Sequence, residues 1–405
     1  MGRLFLTVPF FLDCLLLWPA FCACIEESGA TANVMPAEFG QSPANSNSPT
    51  EEKQQAIALI NAGRFKEAID RLQSLNKIYR SDTSIQIALV NAYLKAGMSS
   101  EGEKEAEGLL SSSTLSEADG LALAKVLIAE RQRDAAQKVL AEVAARWPEK
   151  AQAHAELGLL LSAKSQFEQA VWQLGRAVQL RPDSTEYVQA LAEVLLSWRH
   201  YSTALDFVGA EEERFGKVRD LDYCRAFALY GLRRHEEALA ILHQLLEEYP
   251  RFDRAYYLSG TCYLDLGDAQ KAAASFKKAI EINPRNPSSY ISLAEVLRRN
   301  SHKIDQAISY ARKGLALDPT SSDGRVQLAL CYESKREYSR AQSLLEEVTQ
   351  EYPDLIPPHR ILARVYYQEG DFSKADHETK IAATLEADHQ KPAPESATLP
   401  HIDPN

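Results

Sequence analysis

The chain has 405 residues, 45% of them hydrophobic and 25% charged, a composition that excludes a wholly disordered polypeptide. Its 45 basic and 56 acidic side chains leave a formal charge of −11, which repels polyanions and argues against nucleic acid as the main ligand. Of six cysteines, Cys14, Cys22 and Cys24 sit near the start, and the other three (Cys224, Cys262, Cys331) are too widely spaced for a disulfide framework or a CxxC zinc pair.

Residues 1–24 (MGRLFLTVPFFLDCLLLWPAFCAC) carry one early cation, Arg3, and then a long apolar stretch. Three readings stay open. The first is a lipoprotein export signal, in which Phe21-Cys22-Ala23-Cys24 resembles a bacterial lipobox and Cys24 carries the lipid; Phe21 stands where that motif has Leu, Val or Ile. The second is a signal peptide cut near the same residues to release a soluble exported protein. The third is a retained anchor, since Leu4 to Ala23 matches the ~20 residues that span a bilayer. Asp13 weighs against an anchor by roughly 2.5–3.5 kcal/mol, and Pro9 and Pro19 interrupt a spanning helix. Export is therefore expected, to a periplasmic or membrane-attached place in a bacterial envelope, with membrane contact only through this segment. Residues 25–48 are small, polar and proline-containing, and read as a flexible linker.

From residue 49 the chain repeats. Ala68, Gly102, Ala136, Ala170, Ala204, Ala238 and Ala272 are spaced 34 apart, then Ala307 follows after 35, and Ala341 and Ala375 after 34 each. A second small register runs twelve residues ahead: Ala56, Val90, Ala124, Gly158, Ala192, Ala226, Gly260, Ala294, Ala329 and Ala363. The extra residue falls in the turn around His302, and prolines close units at Pro148, Pro182, Pro250, Pro284, Pro319 and Pro353. Such a period predicts stacked supersecondary units.

Each unit reads as two short helices. In residues 253–286, Tyr256, Ser259, Gly260 and Tyr263 share one helical face, Gly267-Asp268 makes a turn through a left-handed glycine, and Ala272, Phe276, Ala279 and Ile280 form the inner face of a second helix that Pro284 stops. Unit 83–116 is the weakest, because Gly102, Gly108 and Ser111-Ser112-Ser113 are poor helix formers. Its Glu101, Glu103, Glu105 and Glu107 read as a solvated face. Residues 390–405 read as a disordered tail, and His377, Glu378 and Thr379 as a polar cap on the last helix.

Tyr256, Gly260, Tyr263, Ala272, Phe276, Ala279 and Pro284, with Ser259 in place of a leucine, resemble the pattern of the tetratricopeptide repeat family. The resemblance covers ten units: 49–82, 83–116, 117–150, 151–184, 185–218, 219–252, 253–286, 287–321, 322–355 and 356–389. It implies an all-α fold, a right-handed superhelical solenoid of helix-turn-helix repeats, and the overall likeness is to exported or lipid-anchored bacterial proteins of this family.

No phosphate loop, HExxH, GxSxG or CxxC occurs, so no catalytic, cofactor-binding or metal-binding residue is assigned and no enzyme is expected. His154 and His359 fall at the aromatic position of the repeat, and Cys262 and Cys331 at a small one, so all four read as packing residues. The resemblance implies binding along the first helices, at the second, fifth, ninth, twelfth and thirteenth places of each unit. Those places give Tyr223, Phe227, Tyr230 and Tyr257, then Glu295, Arg298 and Arg299, then Arg360, Arg364, Tyr367 and Gln368. An aromatic patch running into a basic one suits an extended ligand held by stacking and by hydrogen bonds to carboxylates. The alternative is that the rings pack neighbouring helices and the arginines pair with local glutamates. A chaperone-tail clamp is not expected, because Lys53 is followed four residues on by Ile57 where that clamp has Asn. The expected function is a non-enzymatic scaffold that binds a partner protein or extended peptide in the concave groove. A glycan-handling accessory of polysaccharide export, using the same groove, is the alternative.

Overall fold

Helices of about thirteen residues are marginal alone, so a chain built from them must draw its stability from neighbours. The computed structural model describes residues 48–299 and 303–389, and these contain twenty α-helices. They fall into two compact units, residues 48–198 and 199–389. The first unit holds α1 (Pro49–Asn61), α2 (Phe65–Ile78), α3 (Thr83–Lys95), α4 (Ser99–Leu110), α5 (Glu117–Ala129), α6 (Arg133–Arg146), α7 (Ala151–Ala163), α8 (Phe167–Leu180) and α9 (Thr185–Ser197). The second holds α10 (Tyr201–Phe215), α11 (Arg219–Gly231), α12 (His235–Glu248), α13 (Asp253–Leu266), α14 (Ala269–Ile282), α15 (Pro287–Arg298), α16 (Ile304–Leu317), α17 (Ser322–Ser334), α18 (Tyr338–Glu351), α19 (Ile356–Glu369) and α20 (Phe372–His389). Within each unit consecutive helices pack as antiparallel pairs, an all-α stack. Residues 1–47 (and Cys24 among them), the turn around His302, and 390–405 lie outside the described residues. No helix among the described residues is long and apolar enough to cross a membrane.

The ends of the helices show why the period holds. First helices tend to start on a side-chain cap: Ser48 and Ser116 form capping boxes with Glu51 and Asp119, and Asp82, Ser184, Asn286 and Ser321 cap others. Six second helices end at Trp147, Arg181, Tyr249, Asn283, Asp318 and Tyr352, each with ψ between 66° and 89°. A proline follows every one of these and disfavours the helical conformation before it.

Between the helices of a pair, at nine of the described turns, the chain passes through one left-handed residue. Gly267 (φ +85°) does this as the sequence suggests, as do Gly63, Gly97 and Gly370. Arg131, Ser165, Arg199, Arg233 and Arg336 adopt the same conformation without glycine. The cost, about 1–2 kcal/mol, is offset by a recurring hydrogen bond from the next amide to the carbonyl five residues earlier, such as Gln132 to Leu127 (2.8 Å) and Glu337 to Tyr332 (2.9 Å).

The core lies where helices cross. Ala68, Ala136, Ala170, Ala204, Ala238, Ala272, Ala307 and Ala341 are fully buried, as are Ala56, Ala124, Ala192, Ala226, Ala294 and Ala329 of the other register. A Cβ on Gly260 would sit 2.7 Å from the Phe276 ring, so only glycine fits this crossing. Cys224, Cys262 and Cys331 are buried with the core. The weak helix α4 forms because Gly102, Ala106 and Leu109 are buried, so packing overrides propensity.

A second recurring link joins repeats. A tyrosine late in a first helix meets a polar side chain twenty residues earlier, on the preceding second helix. The pairs are Gln73–Tyr93 (2.7 Å), His243–Tyr263 (2.9 Å), Arg312–Tyr332 (2.6 Å) and Glu346–Tyr366 (2.5 Å).

Candidate functional site

The expected residues lie on the first helices, which do not leave them equally open. Tyr223, Phe227 and Tyr230 lie one turn apart on α11, and Tyr257 follows on α13. Tyr223, Phe227 and Tyr257 are only 2%, 7% and 5% exposed. The Tyr223 ring meets Phe252 edge-on at 5.4 Å, and the Arg254 guanidinium lies 4.4 Å from its centroid. Tyr257 meets Phe276 edge-on at 5.4 Å and its hydroxyl reaches Ser292 Oγ at 3.2 Å. Tyr230 is half-buried, 6.0 Å from Phe227, and its hydroxyl pKa is raised by burial and by Asp265. Of the two readings of these aromatics, their burial favours the one in which the rings pack against neighbouring helices. A large ring at the fifth place of a first helix is met by a residue of the next repeat, Arg254 in one case and Ser292 in the other, and Tyr223 also by Phe252 at the end of its own repeat.

The basic residues divide. Arg298 is half-buried, with an Nε that finds no partner among the described residues. Arg299 bonds Glu295 at 2.8 Å, one helical turn away. Arg364 forks onto Glu333 of the preceding repeat, with Nη2 at 2.7 Å from Oε2, and Arg360 pairs with Glu386. Arg360, Arg364 and Tyr367 fall at i, i+4 and i+7, so they form one stripe on α19. Tyr367 is 61% exposed and stands edge-on to Phe372, itself 62% exposed, at 5.3 Å. The accessible part of the expected site is this stripe, with Phe372 added. No hydrogen bond or ion pair among the described residues joins it to Arg298 or Arg299.

Other residues take part that the sequence reading left out. Arg254, Asp265, Asp323 and Glu333 occupy the same second, twelfth and thirteenth places, so the spacing rule itself locates them. Asp323, half-buried, has its carboxyl pushed up to about 6 by burial. Phe372 opens α20 at the register of Phe65, Phe167, Tyr201 and Tyr338, and that recurrence was its signal. In residues 48–198 the first-helix polar groups pair locally: Lys53 donates to Ser84 Oγ (2.7 Å), Lys95 meets Glu130 (3.0 Å), and the buried Glu156 accepts from Gln152 (3.0 Å). Burial raises the pKa of Glu156 despite Gln152 and Lys125.

The two histidines hold the scaffold. His154 bridges Gln173 (2.6 Å) and the Pro148 carbonyl (3.2 Å), and His359 bridges Glu378 (2.5 Å) and the Pro353 carbonyl (2.9 Å). Glu378 is therefore an inward partner, not a cap residue.

Models of the tetratricopeptide repeat match residues 121–185, 225–287, 275–309 and 299–365, together just over half of the chain. Anaphase-promoting complex subunit 3 of Schizosaccharomyces pombe is 22% identical over 189 residues, 46% of this chain and 28% of that protein. DnaJ homolog subfamily C member 7 of Homo sapiens is 24% identical over 213 residues, 48% of this chain and 40% of that one. The chain thus spans less than half the length of these relatives. A solved tetratricopeptide repeat protein from Parabacteroides merdae is similar with a TM-score of 0.46 and 18% identity, over 58% of this chain and 93% of that one.

Proposed function

We propose that this chain, which belongs to the tetratricopeptide repeat family, is a non-enzymatic scaffold that holds a partner protein or extended peptide against its first helices, anchored at α19. The observation that carries this is the exposed Tyr367–Phe372 pair beside Arg364, whose guanidinium is already oriented by Glu333. An aromatic anchor next to an ordered guanidinium suits an apolar side chain flanked by a carboxylate on the partner. One relative is by name a subunit of a complex, which accords with a role in holding other polypeptides. The packed Tyr223 and Tyr257 offer no open ring face, so the glycan-handling alternative gains no support from them.

Cross-linking from a photoreactive residue placed at Gln368, in the full chain and its native extract, tests the proposal. The expected result is one dominant cross-linked polypeptide that is lost with Tyr367→Ala and Phe372→Ala. Equal capture by the double variant would count against the α19 anchor. The proposal includes an envelope location, which rests on the reading of residues 1–24. Mass spectrometry of the mature N-terminus separates a diacylglyceryl-Cys24 from a plain cut or an intact leader, and an intact leader on a soluble cytoplasmic protein would overturn that part.

A further inference from the structure

The second helices carry a feature that the first-helix reading does not use. Between α16 and α18, at the end of α17, lies a cavity of about 490 Å³ lined by Ile308, Arg312, Tyr332, Lys335, Glu337 and Arg340, with Lys313 and Asp305 at its edge. Tyr332 is buried, with the Arg340 guanidinium 5.6 Å from its ring centroid and that of Arg312 beyond its hydroxyl, 5.9 Å from the centroid. Arg312 also donates to the Tyr332 hydroxyl at 2.6 Å. Arg340 and Lys335 share Glu337 (2.6 and 3.0 Å), and Lys335 reaches Asp305 (2.9 Å). Arg312 and Lys313 have no carboxylate partner among the described residues. Four cations thus face two carboxylates in a chain whose net charge is −11.

The other tyrosine links show that this is a departure from the repeat. There the partner is Gln73, His243 or Glu346, and only here is it a guanidinium. A guanidinium held by one hydrogen bond to a buried phenolic hydroxyl is fixed in place while its remaining N–H groups stay free for a planar acceptor. Ile308 and Ala316 supply an aliphatic wall beside it.

We propose that this groove is a second binding site, for an acidic peptide segment that sets a carboxylate on Arg312 and Lys313 and an aliphatic side chain against Ile308 and Ala316. It is separate from the α19 stripe, so the two proposals succeed or fail independently. The test is fluorescence anisotropy of the full chain with a labelled hexapeptide alternating glutamate and leucine. Measured in an Arg364→Gln, Tyr367→Ala, Phe372→Ala background, so that the α19 stripe does not contribute, salt-dependent, saturable binding is expected, weakened about tenfold or more by adding Arg312→Gln with Lys313→Gln. Lys313→Gln alone removes an exposed charge outside the tyrosine link, so it keeps the fold intact and is expected to weaken binding still. Three results would overturn the site: no saturation, equal binding of a glutamine–leucine peptide, or undiminished binding by Lys313→Gln and the folded double variant. Displacement of the peptide by equimolar inorganic phosphate would instead assign the groove to a small anion and also reject the peptide proposal.

Discussion

Gly260 and Ala272 show how little room the helix crossings leave. A methyl on Gly260 would come within 2.7 Å of Phe276. Gly260→Ala is therefore expected to cost about 1–3 kcal/mol in urea denaturation, against a gain of under ~1 kcal/mol from helix propensity alone. The thiols follow from the same packing: burial pushes Cys262 up to about 12 and Cys331 up to about 11. Brief alkylation of the native chain should leave both unlabelled, and label them once urea opens the fold. Asp323 gives a pH effect of known sign. Its folded carboxyl titrates near 6, above the usual carboxylate range, so the proton is bound more tightly in the fold. The contribution is fully present below about pH 4 and is lost as pH rises through 6. Asp323→Asn should lessen the fall in stability between pH 5 and 7 by about 1 kcal/mol, read from paired denaturation curves. A fall as steep as in the parent chain would show that Asp323 is not the cause.

Helices, turns and links account for what was legible in advance. The small registers and the prolines mark where helices cross and stop, and those positions depend only on the period. Exposure was not legible, because an aromatic at a groove place is open or covered according to the residue offered by the next repeat. Tyr223 is met by Arg254, whereas Tyr367, in the last described pair, stands against Phe372 and stays exposed. The non-glycine turns escaped for a similar reason: side chains do not reveal that a backbone hydrogen bond offsets a left-handed conformation. Arg336→Gly should raise the melting temperature slightly, by an amount worth up to about 1 kcal/mol, since strain is relieved while the turn bond stays. His359→Ala should cost about 1–3 kcal/mol in thermal denaturation, because it leaves both Glu378 and the Pro353 carbonyl without the ring.

At the scale of the whole molecule, each repeat within residues 199–389 touches its neighbours and little else, so damage should stay local. Removing residues 356–405 is expected to speed amide exchange in α17 and α18 while leaving α11 to α14 as protected as before. Uniform loss of protection would reveal long-range cooperativity in that unit. The tyrosine links bear on how such an array changes over time. A phenolic hydroxyl both gives and takes a hydrogen bond, and here it satisfies an amide, an imidazole, a guanidinium and a carboxylate in turn. A copied repeat can therefore drift at the facing position without losing its neighbour, and a junction can acquire a new charge, as at Arg312, while the register of the stack is kept.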